Sequence, residues 1–160
     1  MKGGSCALTG HRILPDGLDK KLLFDELETL IKEGYDHFFC GMAEGFDLLT
    51  LGFLVELKER YPICLEACIP FQGQESSFSE ENRELYRDLL LRCDRVTTLF
   101  SHYKKGCFLI RDRYMADCSD LIFAYCTKRT GGTAYTVRYA EQTGKKIKFS
   151  RSAPSSGDKE

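Results

Sequence analysis

A chain of 160 residues with 42% hydrophobic and 29% charged side chains can bury one full core and is expected to form one domain over residues 1–150. Its 23 basic and 24 acidic side chains leave a net charge of -1, which excludes a surface-wide field for polyanions and argues against nucleic acid as a partner. Eight cysteines without a CxxC pair, no signal peptide and no apolar run of membrane-spanning length predict a cytoplasmic protein with buried free thiols, no disulfide framework and no membrane contact.

In chain order, Ser5 to Thr9 predicts a strand that ends at Gly10. Leu18, Leu22, Leu27, Leu30 and Ile31 recur at helical spacing up to Gly34, a helix stop. "HFFCG" predicts a second strand, and a helix over Phe46 to Arg60 ends before Pro62. This helix is apolar nearly all round, so it is buried on two sides or covered by a partner, and a homodimer through it is an expectation. A third strand, "ICLEACIP", ends at Pro70, and Ser77 or Ser79 caps a helix from Glu80 to about Cys93. Arg95 to Phe100 is a fourth strand, Gly106 to Cys118 a fourth helix and Asp120 to Cys126 a fifth strand. A helix over Thr133 to Gln142 stops at Gly144, and "KKIKFS" is a lysine-protected edge strand. Residues 151–160 are expected to be a disordered polar tail.

Strands and helices alternate throughout, which implies an α/β, three-layer, Rossmann-like fold: a mostly parallel central sheet with helices on both faces. Such sheets bind ligands beyond the carboxyl ends of their strands. Each unusual cluster follows a strand, so all should meet at that edge. In "TGHR", Gly10 gives backbone access, Thr9 a hydroxyl, His11 a switchable donor and Arg12 a cationic fork for phosphate. In "CGMAEGFD", Gly41 and Gly45 bracket a loop at a helix start, Glu44 can accept from a base or sugar, and Asp47 can cap the helix or hold a ribose hydroxyl. Gln74 of "IPFQGQ" suits a nucleobase edge, or is loop filler. In "IRDRYMADCSD", Arg111 and Arg113 point about 200° apart on a helical wheel, so at most one faces the ligand; Arg113 is the expected one. Arg113 can instead pair with Asp117 four residues on. Gly131, Gly132 and Thr133 open the last helix as a phosphate cradle of main-chain N–H groups and a hydroxyl. No metal site or cofactor is expected, since His11, His37 and His102 are scattered.

"TGHR", "GMAEGFD", "IPFQGQ", "RDRYMAD" and "GGTAYTVRYA", in that order, resemble the SLOG superfamily, which includes the DNA processing protein A and the lysine-decarboxylase-like cytokinin-activating enzymes. The resemblance covers Ser5 to Phe149 and points to a small bacterial or phage-borne branch of unknown function. It implies a nucleotide or nucleotide-derived ligand at the carboxyl edge, walled by Thr9–Arg12 and Gly41–Asp47, with Gly131–Thr133 as the anion loop. The cytokinin-activating relatives carry PGGxGTxxE; here their second threonine and glutamate fall on Tyr135 and Arg138, which speaks against the same hydrolysis. Near relatives have "RNRYM" where this chain has Asp112.

The leading expectation is a nucleotide-binding or sensing domain. One alternative is a nucleotide N-glycosidic or phosphate-bond hydrolase using Glu44, Asp47 or Glu141. Another is a DNA-binding protein.

Overall fold

Six strands and five α-helices alternate in the computed structural model, which describes residues 3–154. They are β1 (Gly4–Gly10), α1 (Lys20–Lys32), β2 (Tyr35–Cys40), α2 (Phe46–Leu57), β3 (Cys64–Phe71), α3 (Glu80–Leu91), β4 (Arg95–Phe100), α4 (Cys107–Cys118), β5 (Leu121–Tyr125), α5 (Gly132–Gln142) and β6 (Lys146–Phe149). The sheet order is β4-β3-β2-β1-β5-β6, and every neighbouring pair is parallel. The fold is thus a three-layer α/β sandwich, with the lysine-bearing β6 at one edge.

Alternation along each buried strand sends successive side chains to opposite layers. Leu8, Phe38 and Leu65 meet Leu23 and Leu27 of α1 and Leu51 and Leu54 of α2. Ala7, Phe39, Cys68 and Ile122 meet Met115 and Ala116 of α4 and Val137 and Ala140 of α5. Most of the apolar circumference of α2 is buried inside the chain, between α1, α3 and β1, while Leu49, Phe53 and Val55 are only partly covered.

Two local expectations are corrected and one choice between two residues is decided. β3 continues through Pro70 to Phe71, because pairing with β4 passes from Ile69 to Phe71 and needs no N–H from the proline. Ser79, not Ser77, caps α3, its hydroxyl accepting from the Asn82 N–H at 3.2 Å. Residues 151–154 are not disordered: Ser152 is fully buried, the Arg151 N–H donates to Glu26 Oε2 at 2.8 Å, and the Asp19 N–H donates to the Ser152 carbonyl at 2.9 Å. Residues 155–160 of the predicted tail lie outside the described residues. Among the described residues no helix is long and apolar enough to cross a membrane.

Candidate functional site

β1 and β5 lie side by side, with Gly10 opposite Tyr125, although three strand–helix units separate them in sequence. From β1 the chain first builds outward to β4 and then crosses back by α4 to β5. The loops after β1 and β5 therefore diverge from one point and leave a crevice between them.

His11 ties the two loops together. Its Nε2 accepts the Thr127 N–H at 2.9 Å, so the ring carries its proton on Nδ1. Burial, helped by the Lys128 charge, lowers its pKa and favours this neutral form. The His11 carbonyl accepts the Phe46 N–H at 3.0 Å, which satisfies a donor at the start of α2. Gly45 packs against the Arg12 main chain and Gly10 against the Phe46 ring, leaving no space for a side chain at either glycine. In the same loop Met42 is held in the left-handed region, with φ 63°.

A cavity of about 320 Å³ opens at this point, lined by Thr9, Gly10, His11, Arg12, Gly41, Ala43, Asp47, Phe108, Arg111, Asp112, Gly132 and Thr133 among others. Arg12 is exposed and stacks its guanidinium over the Phe108 ring, 5.2 Å from the centroid. Arg111 is only 5% exposed. Its Nη1 donates to the Gly41 carbonyl at 2.6 Å and its Nε to Asp112 Oδ1 at 2.8 Å. Gly41 has no room for a Cβ, which would lie 2.6 Å from Arg111 Nη1. Asp47 accepts the Ala43 N–H at 3.1 Å. Burial pushes its carboxyl up to about 6, against the opposing pull of Arg111. Gly131 starts α5 without a side-chain cap, and Gly132 and Thr133 of its first turn, where N–H groups lack intrahelical partners, line the cavity.

Thr9, His11, Arg12, Asp47 and Asp112 each keep polar atoms in this lining without a hydrogen bond within the described residues, and so do two donors on more deeply buried residues, Arg111 Nη2 and Thr133 Oγ1. No sealed side-chain nitrogen or oxygen among the described residues lacks a partner, so both groups open onto the cavity. Their residues are more than nine-tenths buried.

Several predicted residues lie elsewhere. Glu44 and Gly45 border an adjacent groove with Asn82, whose Nδ2 donates to Glu44 at 2.8 Å. Gln74 is buried, and its Nε2 donates to the Gly41 carbonyl at 3.1 Å; it braces the loop from behind. Gly131 precedes the lining as the N-cap of α5. Arg113 points away from the cavity and covers Tyr139, 5.3 Å from the ring centroid, while Asp117 accepts from the Tyr139 hydroxyl instead of pairing with Arg113. Arg111 takes the inward position because Cys107, Arg111 and Met115 form the buried stripe of α4. That stripe was the signal in the sequence: an apolar residue one turn before and one turn after. Of the carboxylates offered for acid–base work, Asp47 alone borders the cavity; Glu141 is exposed on α5.

The sequence profile of the YspA SLOG family matches residues 18–153. A UPF0398 protein of Bacillus cereus (strain G9842) is 26% identical over 132 residues, covering 80% of this chain and 72% of that protein. A UPF0398 protein of Bacillus pumilus is 29% identical over 126 residues, covering 76% of this chain and 68% of that one. Among solved structures, the DNA processing protein A of Streptococcus pneumoniae superposes with a TM-score of 0.70 at 16% identity, over 92% of this chain and 50% of that chain. The DNA processing protein A of Helicobacter pylori, for which a single-stranded DNA binding mode is described, superposes with a TM-score of 0.66 at 16% identity, over 98% of this chain and 71% of that chain. This chain therefore spans half the length of the pneumococcal protein.

These likenesses overturn the expectation that nucleic acid is no partner. Net charge was the wrong quantity to use, because it averages over the surface. The loops at the carboxyl edge carry exposed Arg12, Lys104, Lys105, Lys128 and Arg129.

Proposed function

Because the chain belongs to the YspA SLOG family, we propose that it binds a nucleotide unit at the carboxyl edge of its sheet, and that a single strand of nucleic acid is the first ligand to test. The observation that carries the reading is a pair of unbonded donors on buried residues, Arg111 Nη2 and Thr133 Oγ1, on one cavity at the uncapped start of α5. Buried donors left open at the positive end of a helix suit a phosphate oxygen. Arg12 and Phe108 offer a cation and a ring face at the mouth, where a base or sugar can lie. The likeness to a single-stranded-DNA-binding protein and the basic loops around the mouth support the strand.

A free nucleotide is the second reading, favoured by the cavity volume of about 320 Å³, which falls in the range of small-molecule pockets. The eight free thiols suit a reducing, cytoplasmic setting for either ligand.

Fluorescence anisotropy with a labelled thymidine oligonucleotide, and competition by mononucleotides, tests the proposal. Arg12→Ala removes an exposed side chain from the mouth and is expected to weaken binding by about tenfold, the usual worth of a charge-assisted contact, with an unchanged melting temperature. Wild-type protein that binds neither strand nor mononucleotide would sink the reading. Equal binding by Arg12→Ala would remove Arg12 from the site.

A further inference from the structure

We infer that Asp112 sets the charge of the anion this site accepts, selecting a singly charged phosphodiester over a phosphomonoester dianion. The inference rests on the nucleotide reading above and names the kind of phosphate that reading requires.

Asp112 Oδ1 is held by Arg111 Nε at 2.8 Å, and the Asp112 side chain retains only 15% of its exposure. Its Oδ2 lies 3.7 Å from the point a Cβ on Gly132 would occupy. Asp112 thus places a fixed negative charge beside the opening turn of α5, at the same helix end that attracts an incoming phosphate. The charges on the cavity wall balance. Arg12, Arg111, Asp47 and Asp112 are the charged side chains on the cavity wall, two of each sign. His11 adds none, since its Nε2 is occupied as an acceptor. The helix end adds a partial positive charge to this balanced wall, and Arg111, 95% buried, adds an open donor, Nη2, whose charge is already counted. So small a surplus suits an anion of one negative charge better than one of two. A phosphomonoester carries close to two at neutral pH and would bring the second against Asp112. A diester carries one.

Diester phosphate has two sources, the interior of a strand and a cyclic nucleotide. Calorimetric titration of wild type and Asp112→Asn should use three ligands: a thymidine oligonucleotide without terminal phosphates, 3′,5′-cyclic AMP and 5′-AMP. In wild type at least one diester is expected to bind about tenfold tighter than 5′-AMP, and which one does so identifies the source. In Asp112→Asn the ratio of diester to monoester affinity is expected to fall about tenfold, through a gain for 5′-AMP. If the amide variant melts early, Asp112→Ser gives the same reading. A ratio that favours 5′-AMP in wild type, or one unmoved by removal of the carboxylate, overturns the assignment of Asp112 and leaves the nucleotide site standing. Absence of binding by all three ligands overturns the nucleotide reading itself, and this inference with it.

Discussion

Asp47 and Arg111 illustrate how burial turns ordinary side chains into a site. With its carboxyl raised from 3.8 to about 6, Asp47 binds its proton more tightly in the folded chain than in the unfolded one. That preference is fully present below pH 3.8 and is lost as pH rises through about 6, so at neutral pH the ionised group costs the fold about 3 kcal/mol. Asp47→Asn retains an acceptor for the Ala43 N–H without the charge. It is expected to raise stability at pH 7.5 by about 1–3 kcal/mol and to flatten the pH dependence between 4 and 6, as read by urea unfolding across that range. A variant with the wild-type pH profile would remove Asp47 as its source. Thr9, Gly10, His11, Arg12, Gly41, Asp47, Gly132 and Thr133, singled out from the sequence, come together on this cavity because residues that follow parallel strands have only one edge to reach. Arg111 was missed because either arginine of the pair could turn inward; the choice depends on which face of α4 meets the sheet.

At the level of elements, periodicity and punctuation located the six strands and five α-helices to within a few residues, helped where glycine, proline or a capping residue marks an end. What local sequence could not show was how loops lock together. Gly45 is the clearest instance. Its φ of 81° and its contact with the Arg12 carbonyl reflect a neighbour 33 residues away in sequence. Gly45→Ala is expected to cost about 2–4 kcal/mol, combining the left-handed penalty with a main-chain clash. Gly144→Ala, with φ 75° and nothing within 4 Å, should cost only about 1–2 kcal/mol by the same urea titration. Equal losses would mean that the loops separate easily. Glu26 teaches a similar lesson: its role in receiving Ser150 and Arg151 depends on a contact across more than a hundred residues, so the polar composition of 151–154 gave the wrong expectation.

For the whole molecule, alternation of strand and helix was enough to specify a parallel sheet with two helical layers, but not the order β4-β3-β2-β1-β5-β6, which is decided by the direction of the α4 crossover. That crossover makes β1 and β5 neighbours and requires His11 to bridge loops that begin more than a hundred residues apart. The bridge has a kinetic consequence. The Thr127 amide hydrogen is traded for deuterium when its bond to the His11 ring opens, so its exchange rate reports how often the tie between the two walls is released. In His11→Ala this amide is expected to exchange at least about tenfold faster, while core amides such as that of Leu8 keep their protection. A diester seated between the walls would slow the same hydrogen in wild type, letting a single backbone position report occupancy without a label; an unaltered rate in His11→Ala would mean that the walls are held by something else.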